Sequence, residues 1–281
     1  MTVGDLIASL RPARFTDATS MAAAGAHVDD PAYTRWLPVI GQSHGRHRKV
    51  WEWCFILQAL ERHGVLAAGR SAIGFGVGTE PLAAVLAARG VRVVATDQPA
   101  DRAGNWATSN QHAAGRESLR RSDLCADEQF DALVEFAPVD MTSLPADLGP
   151  FDAAWSSCCF EHLGSADAGF DFVVSSIDMV RVGGVAVHTT EFDCSARSTR
   201  LEVGAIEGGD YVCFYRRSDL ARLVKRLRAL GHDVRANYYV GTRHPLEREV
   251  DEPPYSHDPH LRLRVADRVV TSFGLTVVRG R

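Results

Sequence analysis

The sequence has no long apolar run, no repeat and no low-complexity tract. No stretch of about 18 consecutive apolar residues occurs, so no segment is predicted to cross a membrane. The N-terminal residues also lack the apolar core of a secretion signal. The six cysteines form no C-x-x-C pair and lie mostly in apolar runs, which favours reduced thiols over a disulfide framework. These absences together predict a cytoplasmic protein.

The chain also has no excess of positive charge. Its formal net charge is −4, so bulk electrostatics give no attraction to nucleic acid, and we predict no nucleic-acid partner. A length of 281 residues is enough for one large α/β domain. We predict that residues 46–281 form this domain. Residues 1–45 are predicted to be an N-terminal extension packed on the core, with a lid or the arm of a homodimer as alternatives.

One stretch organises the rest of the chain. Residues 71–98 predict a buried strand, a glycine turn, a helix and a second buried strand that ends at Asp97. The glycines stand at alternate positions, as Gly74, Gly76 and Gly78. Glycines let the backbone turn tightly and approach a ligand closely. An acid after the second strand can accept hydrogen bonds from two ribose hydroxyls. The stretch therefore predicts a nucleotide-type site.

The glycine spacing narrows the choice of ligand. A dinucleotide site is expected to have the spacing G-x-G-x-x-G, whereas here the run is G-x-G-x-G-T-E. Glu80 stands where phosphates require an electropositive helix start. This argues against an NAD pyrophosphate and for a ligand without phosphate, such as S-adenosylmethionine. A glycine-containing βαβ unit with no ligand remains an alternative.

The same stretch resembles motif I and the following acid of class I S-adenosylmethionine-dependent methyltransferases. The resemblance implies a Rossmann-like α/β sheet, mostly parallel with one antiparallel final strand, and helices on both faces. It also implies that S-adenosyl-L-methionine is the cofactor, with Asp97 on the ribose and Asp140-Met141 on the adenine. The cofactor-binding residues so implied are Gly74, Phe75, Gly76, Gly78, Thr79, Glu80, Asp97, Gln98, Asp140, Met141 and Ser157.

Apolar patterns elsewhere complete this prediction. We expect strands at 72–75, 91–95, 130–136, 151–157, 185–190, 233–240 and 269–278, and helices at 46–63, 168–180 and 218–230. Residues 243–262 form a proline-bearing loop on the side of the active site. The first of these helices opens on four basic residues, Arg46 to Lys49. Because this opposes the helix dipole, the cluster either faces a ligand or is a solvated charge run.

Ionisable residues follow the fourth and fifth strands. Ligands of open parallel sheets bind beyond the carboxyl ends of the strands, so the catalytic candidates are Glu161, His162, His188 and Glu191. A histidine could act as the general base for an acceptor hydroxyl. Alternatively, Glu161, His162 and His188 could bind a divalent metal such as manganese, zinc or iron. A third interpretation is that Glu161-His162 only shapes the pocket.

Several stretches are similar to a narrower group. Among them are Gly74-Phe75-Gly76-Val77-Gly78, Phe160-Glu161-His162-Leu163 and Pro253-Pro254-Tyr255. They resemble methyltransferases of bacterial polysaccharide and glycan gene clusters, including the mycobacterial methylmannose polysaccharide O-methyltransferases. This resemblance implies a sugar acceptor, a mannoside or short oligosaccharide, with Trp51, Trp53, Tyr255 and His257 as candidate contacts. Alternatives are a small natural product or nitrogen acceptor, and a non-catalytic cofactor-binding protein.

Overall fold

The computed structural model describes residues 10–104, 106, 111–146, 148–195, 201–206 and 210–281. Strands β1 to β11 span, in chain order, Ser20–Ala22, Ser71–Phe75, Arg92–Asp97, Val134–Pro138, Phe151–Ser157, Val180–Asp193, Leu201–Ile206, Asp210–Phe214, Ala236–Asn237, Leu263–Val265 and Arg268–Val278. Helices α1 to α7 span Gly25–Val28, Pro31–Thr34, Arg48–Arg62, Leu82–Ala88, Asp127–Leu133, Ala166–Asp178 and Arg217–Ala229.

The central sheet is mixed and mostly parallel. Its strand order is β4-β3-β2-β5-β6-β11-β1-β9, with β10 paired to β11. The first five of these strands are parallel, and β11 runs antiparallel to β6. The prediction of a mostly parallel sheet with an antiparallel final strand is therefore confirmed. Strands β7 and β8 form a separate hairpin.

Helices cover both faces of this sheet, and the core consists of two main apolar clusters. One apolar cluster includes Phe55 of α3 and the buried face of α4, whereas the other includes Phe172 of α6 and Leu223 of α7. Strand β2 is buried at every position. A strand covered on both faces is apolar throughout rather than alternating, which explains why its apolar run predicts a strand.

Two predicted strands differ from those observed. Phe130 lies in α5, and the third parallel strand begins only at Val134. Asp127 and Glu128 in the first turn stabilise the start of α5 through the helix dipole, and a short apolar run cannot distinguish a buried helix from a strand. Of the predicted strand 233–240, only Ala236–Asn237 forms a strand in the structure.

The N-terminal segment takes part in the sheet. Strand β1 lies between β11 and β9, with Met21 opposite Gly274 and Ser20 opposite Ala236. The predicted sixth strand therefore pairs with β1 through Ala236–Asn237, and Asp233 forms a single antiparallel bridge with Val278 of the final strand. Residues 1–9 lie outside the described residues, so the division at residue 45 stays a prediction. None of the helices in the described ranges is long and apolar enough to cross a membrane.

Candidate active site

A cavity of about 600 Å³ opens beyond the carboxyl ends of β2, β3 and β5. It lies where the open-sheet rule places a ligand. Most of the predicted site residues line it: Trp53, Gly76, Gly78, Thr79, Glu80, Asp97, Gln98, Asp140, Met141, Ser157 and His162. The rest, Gly74, Phe75, Glu161, His188, Glu191, Trp51, Tyr255 and His257, lie elsewhere.

The turn after β2 depends on two glycines. Gly76 and Gly78 have φ angles of 57° and 51°, a left-handed conformation that costs a glycine little. A Cβ on Gly78 would lie 2.5 Å from the carbonyl oxygen of Gln111. Gly74 has a different role, because a Cβ there would lie 2.3 Å from the ring of Trp155. Gly74 and the fully buried Phe75 thus serve packing beneath the cavity, which corrects the expectation that they line it.

Asp97 is held by backbone amides at the cavity wall. Its Oδ2 accepts the N–H groups of Gly78 at 3.0 Å and Ala113 at 2.9 Å, and its Oδ1 accepts the N–H of Gln98 at 2.8 Å. A carboxylate offers about four lone-pair sites, so these bonds leave acceptor capacity on Oδ1. The side chain is oriented before any ligand binds.

Glu80 is a buried carboxyl in the same wall. Trp155 Nε1 donates a hydrogen bond to its Oε1 at 2.6 Å, and the residue is 6% exposed. Burial raises the pKa of Glu80 to about 8, against the opposing effects of the Trp155 hydrogen bond and the Lys49 charge. At neutral pH Glu80 is therefore largely protonated.

Helix α3 contributes two cavity residues, Lys49 and Trp53. They stand one turn apart on the same helix face, whereas Trp51 points into the core. Lys49 was not among the predicted site residues. Its signal in the sequence was the basic run at a helix start, which the dipole disfavours unless the run has partners.

Those partners meet at Glu52, which is fully buried. Its Oε2 accepts hydrogen bonds from Lys49 at 3.1 Å and from Ser157 and Thr189 at 3.0 Å each. Its Oε1 accepts one from Arg48 at 3.1 Å. Burial alone would raise the pKa of Glu52, but the charges of Lys49 and Arg48 lower it to about 2. This carboxylate joins α3 to β5 and β6 behind the cavity.

Arg48 connects the same network to Glu191 and Cys158. Its guanidinium pairs with Glu191 Oε1 and donates to Cys158 Sγ at 3.3 Å. Burial raises the pKa of Glu191, and the Arg48 charge opposes the rise. Burial also raises the pKa of the Cys158 thiol, which makes it a poor nucleophile.

His162 is the imidazole that reaches the cavity. Its Nδ1 lies 3.0 Å from the carbonyl oxygen of Tyr211, and its ring packs edge-on against Trp106 at 4.8 Å between centroids. A carbonyl only accepts, so Nδ1 carries the proton in the neutral ring and donates it. Nε2 is then left with a lone pair, which is the arrangement that a general base requires.

His188, one of the predicted catalytic candidates, does not reach the cavity. It is fully buried, with Nδ1 2.8 Å from Ser156 Oγ and Nε2 3.0 Å from Ser176 Oγ on α6. Burial lowers its pKa to about 3. Successive side chains on a strand point to opposite faces, so His188 and Glu191, three positions apart, leave β6 on opposite sides.

Comparison with known proteins rests on structure alone. No family model matches the chain, and no curated protein sequence does. A putative S-adenosylmethionine-dependent methyltransferase from Listeria monocytogenes is 9% identical and superposes with a TM-score of 0.51, over 83% of this chain and 98% of that one. The chain has the class I methyltransferase fold. The N-terminal domain of EvdMO1 with S-adenosylhomocysteine bound is 12% identical, with a TM-score of 0.49 over 80% of each chain.

The expected metal ligands do not assemble in this methyltransferase fold. Among the described residues, Glu161 lies near Cys158 and Glu191, with ligand atoms within 4.8 Å, rather than in a cluster with His162 and His188. Glu161 Oε2 accepts a hydrogen bond from Thr190 Oγ1 at 3.0 Å. The Arg48 guanidinium already contacts Cys158 and Glu191, so a cation occupies that position.

The predicted sugar contacts also separate. Trp51 is fully buried, donates from Nε1 to His27 Nδ1 at 3.1 Å and stacks on Phe55, so it is a core residue. Tyr255 donates to the carbonyl oxygen of Arg264 at 2.7 Å and does not line the cavity of the methyltransferase fold. Trp53 does line it, and within the described part of the chain its indole nitrogen has no hydrogen-bond partner. His257 is exposed and lies outside the cavity.

Proposed function

We propose that this protein is an S-adenosylmethionine-dependent O-methyltransferase. The observation that carries the proposal is His162, whose Nδ1 donates to the Tyr211 carbonyl and leaves Nε2 as an acceptor in the cavity. The bound cofactor supplies an electrophilic methyl group on a sulfonium and leaves as a neutral thioether. His162 Nε2 takes the proton of the acceptor hydroxyl as the oxygen forms its bond to the methyl carbon.

The charges of the cavity fit the methionine end of the cofactor. That end carries one carboxylate and one ammonium group. Lys49 offers a cation: burial lowers the pKa of its ammonium group, but the charge of Glu52 raises it, and the net pKa lies above the ordinary value. Glu80 offers a carboxyl that gains charge when a cation approaches. Asp97 supplies the acceptor for the ribose, and Met141 an apolar contact for the adenine.

The acceptor in this proposal is a sugar, such as a mannoside or a short oligosaccharide. Supporting it, the Trp53 ring presents an apolar surface in the cavity and an unpartnered N–H among the described residues. Aromatic rings with one polar atom suit a ligand that has both C–H faces and hydroxyls. Lys49, one turn away on the same face, adds a donor for a hydroxyl.

Product analysis tests both levels of the proposal. The purified protein is incubated with S-adenosylmethionine and a panel of mannosides, other glycosides, phenols and amines, and methylated products are identified by mass spectrometry. We expect O-methylation of a glycoside. Methylation of phenols or amines alone would overturn the sugar assignment but keep the methyltransferase. A folded protein that fails to bind S-adenosylhomocysteine in calorimetry would overturn the methyltransferase itself.

A further inference from the structure

Three histidines meet outside the cavity, where helix α3 begins. Ligand atoms of His47, His257 and His260 all lie within 4.8 Å of one another. The rings of His47 and His260 have centroids 4.5 Å apart, and those of His257 and His260 are 5.0 Å apart. The proposed methyl transfer uses none of the three.

Backbone hydrogen bonds fix the position of two of these histidines. The N–H of Arg48 donates to the carbonyl oxygen of His260 at 3.0 Å, and the N–H of His260 donates to that of Arg46 at 2.8 Å. These bonds join His47 and His260 as a parallel bridge. The return of the loop to the start of α3 therefore sets the spacing of the imidazoles.

The buried carboxylate of Asp251 orients the ring of His260. His260 Nδ1 lies 2.5 Å from Asp251 Oδ2, so Nδ1 donates and Nε2 keeps a lone pair. Asp251 also accepts the backbone N–H groups of Ser256 at 2.9 Å and His257 at 3.0 Å. It is 8% exposed, and within the described residues its ion-pair partner is His260 rather than a lysine or arginine. Asp251 thus places a buried carboxylate against an imidazole of the cluster.

We propose that His47, His257 and His260 bind a divalent transition-metal ion of the zinc type, with Asp251 as the outer carboxylate that orients His260. Imidazole ligands suit zinc, nickel, copper or iron, whereas magnesium and calcium require oxygen ligands. A carboxylate on the far nitrogen of a ligating histidine is the usual second layer of such sites. Three protein ligands leave one coordination position open.

Two local features oppose the ion, and the structure offsets the second. His47 Nδ1 accepts the N–H of Lys49 at 3.1 Å, so coordination through Nδ1 exchanges this cap for the metal. Two arginines lie nearby, but each has its own carboxylates. Arg46 pairs with Asp258 at 2.8 Å, and Arg48 with Glu52 at 3.1 Å. The remaining charge on Asp251 favours a cation.

Metal titration of chelator-treated full-length protein tests the site without using methyl transfer. Zinc is added in a calorimeter, and cobalt is added as a spectroscopic probe of coordination. We expect one equivalent to bind, and His257→Asn to weaken binding by at least about tenfold. Asparagine tolerates the φ of 64° at this position, so the variant should fold. His260→Gln should have a similar effect.

His44→Asn is the matched control, because His44 is an exposed histidine three positions before His47. We expect it to bind zinc like the wild type. Absence of stoichiometric binding by the wild type would overturn the site. So would equal zinc affinity in the wild type, His257→Asn and His260→Gln. A wild type that binds zinc but not S-adenosylhomocysteine would leave the site in place and overturn only the proposed function.

Discussion

The carboxylate of Asp97 accepts the backbone N–H of Gly78 at 3.0 Å. The acid at the end of β3 therefore also holds the glycine turn that follows β2. The N–H groups of Gly78 and Ala113 both donate to Oδ2 of Asp97, and the N–H of Gln98 donates to Oδ1. The side chain that we propose binds the ribose thus also fixes the shape of the turn.

Asp97→Asn should lower the affinity for S-adenosylhomocysteine by at least about tenfold, because it removes a charge-assisted acceptor from the cavity. An asparagine oxygen can still accept from Gly78, so the fold should persist. Isothermal titration calorimetry measures the change. Asp101→Asn, an exposed aspartate four positions further on, should bind like the wild type. Equal affinities in all three proteins would contradict the role given to Asp97.

Glu80 should give the protein a stability that depends on pH. Burial raises its folded pKa to about 8, whereas the ordinary value is 4.5. The folded state then keeps a proton that the unfolded chain releases, so stability is full below pH 4.5 and falls as the pH rises towards 8. The slope is at most about 1.4 kcal/mol per pH unit. Urea denaturation between pH 5 and pH 8, in roughly one-unit steps, measures it.

The control for this effect is Glu80→Gln, which keeps an acceptor for Trp155 Nε1 but cannot ionise. Lys49, Glu52 and Asp97 also act on Glu80 and remain in the variant. We therefore expect a flatter pH dependence in Glu80→Gln than in the wild type. Parallel curves for the two proteins would mean that Glu80 is ionised in the folded protein at these pH values.

His162→Gln should reduce kcat by about 10²–10⁴-fold, since it removes the proposed base. S-adenosylhomocysteine should still bind with similar affinity, because Asp97 and the glycine turn are unchanged. Steady-state kinetics with the acceptor that the product analysis identifies measures kcat, and calorimetry measures the affinity for S-adenosylhomocysteine. A variant that retains wild-type kcat would exclude His162 as the base.

His188→Leu should lower the stability of the protein and leave kcat unchanged. The two hydroxyls that contact the ring, Ser156 and Ser176, would lose their imidazole partner in the core. We expect a loss of about 1–3 kcal/mol in the free energy of unfolding, with kcat of the folded fraction unchanged. Chemical denaturation and kinetics on the same sample measure both. A large fall in kcat without loss of stability would place His188 in the chemistry after all.

Glu52→Gln should be destabilising by about 1–3 kcal/mol, because Lys49 would lose its carboxylate partner and Arg48 would keep only Glu191. The folded pKa of Glu52 is about 2, so its contribution is present above pH 4.5 and is lost as the pH falls towards 2. The gap between wild type and variant should therefore narrow in acid. Glu61→Gln on the exposed side of the same helix should cost no more than about 1 kcal/mol.

The residues that line the cavity after β2 and β3 were predictable because their signals are local. The glycines, Thr79-Glu80 and Asp97 lie within one βαβ unit, and the cavity forms where that unit ends. The catalytic candidates were harder, because their spacing along the chain does not give the face of the sheet. The observed strand β6 includes both His188 and Glu191, whereas the predicted strand ended at residue 190. Once both residues lie in one strand, their odd separation places them on opposite faces of the sheet.

Contacts between distant parts of the chain account for the rest. The basic start of α3 indicated a need for partners, but Ser157 and Thr189 become partners of Glu52 only when three elements pack together. Trp51 and Trp53 illustrate the same limit. Both are aromatic residues in one helix, and only the packing of α3 decides which one enters the core.

Strand β1 has a consequence for how the chain is made. The side chain of Ser20 accepts the N–H of Thr276, from a residue 256 positions later. At ordinary rates of translation, on the order of tens of seconds separate the synthesis of these two strands. During that time β1 has no partner in β11. The pairing of these two strands therefore forms only after all the strands between them have been synthesised.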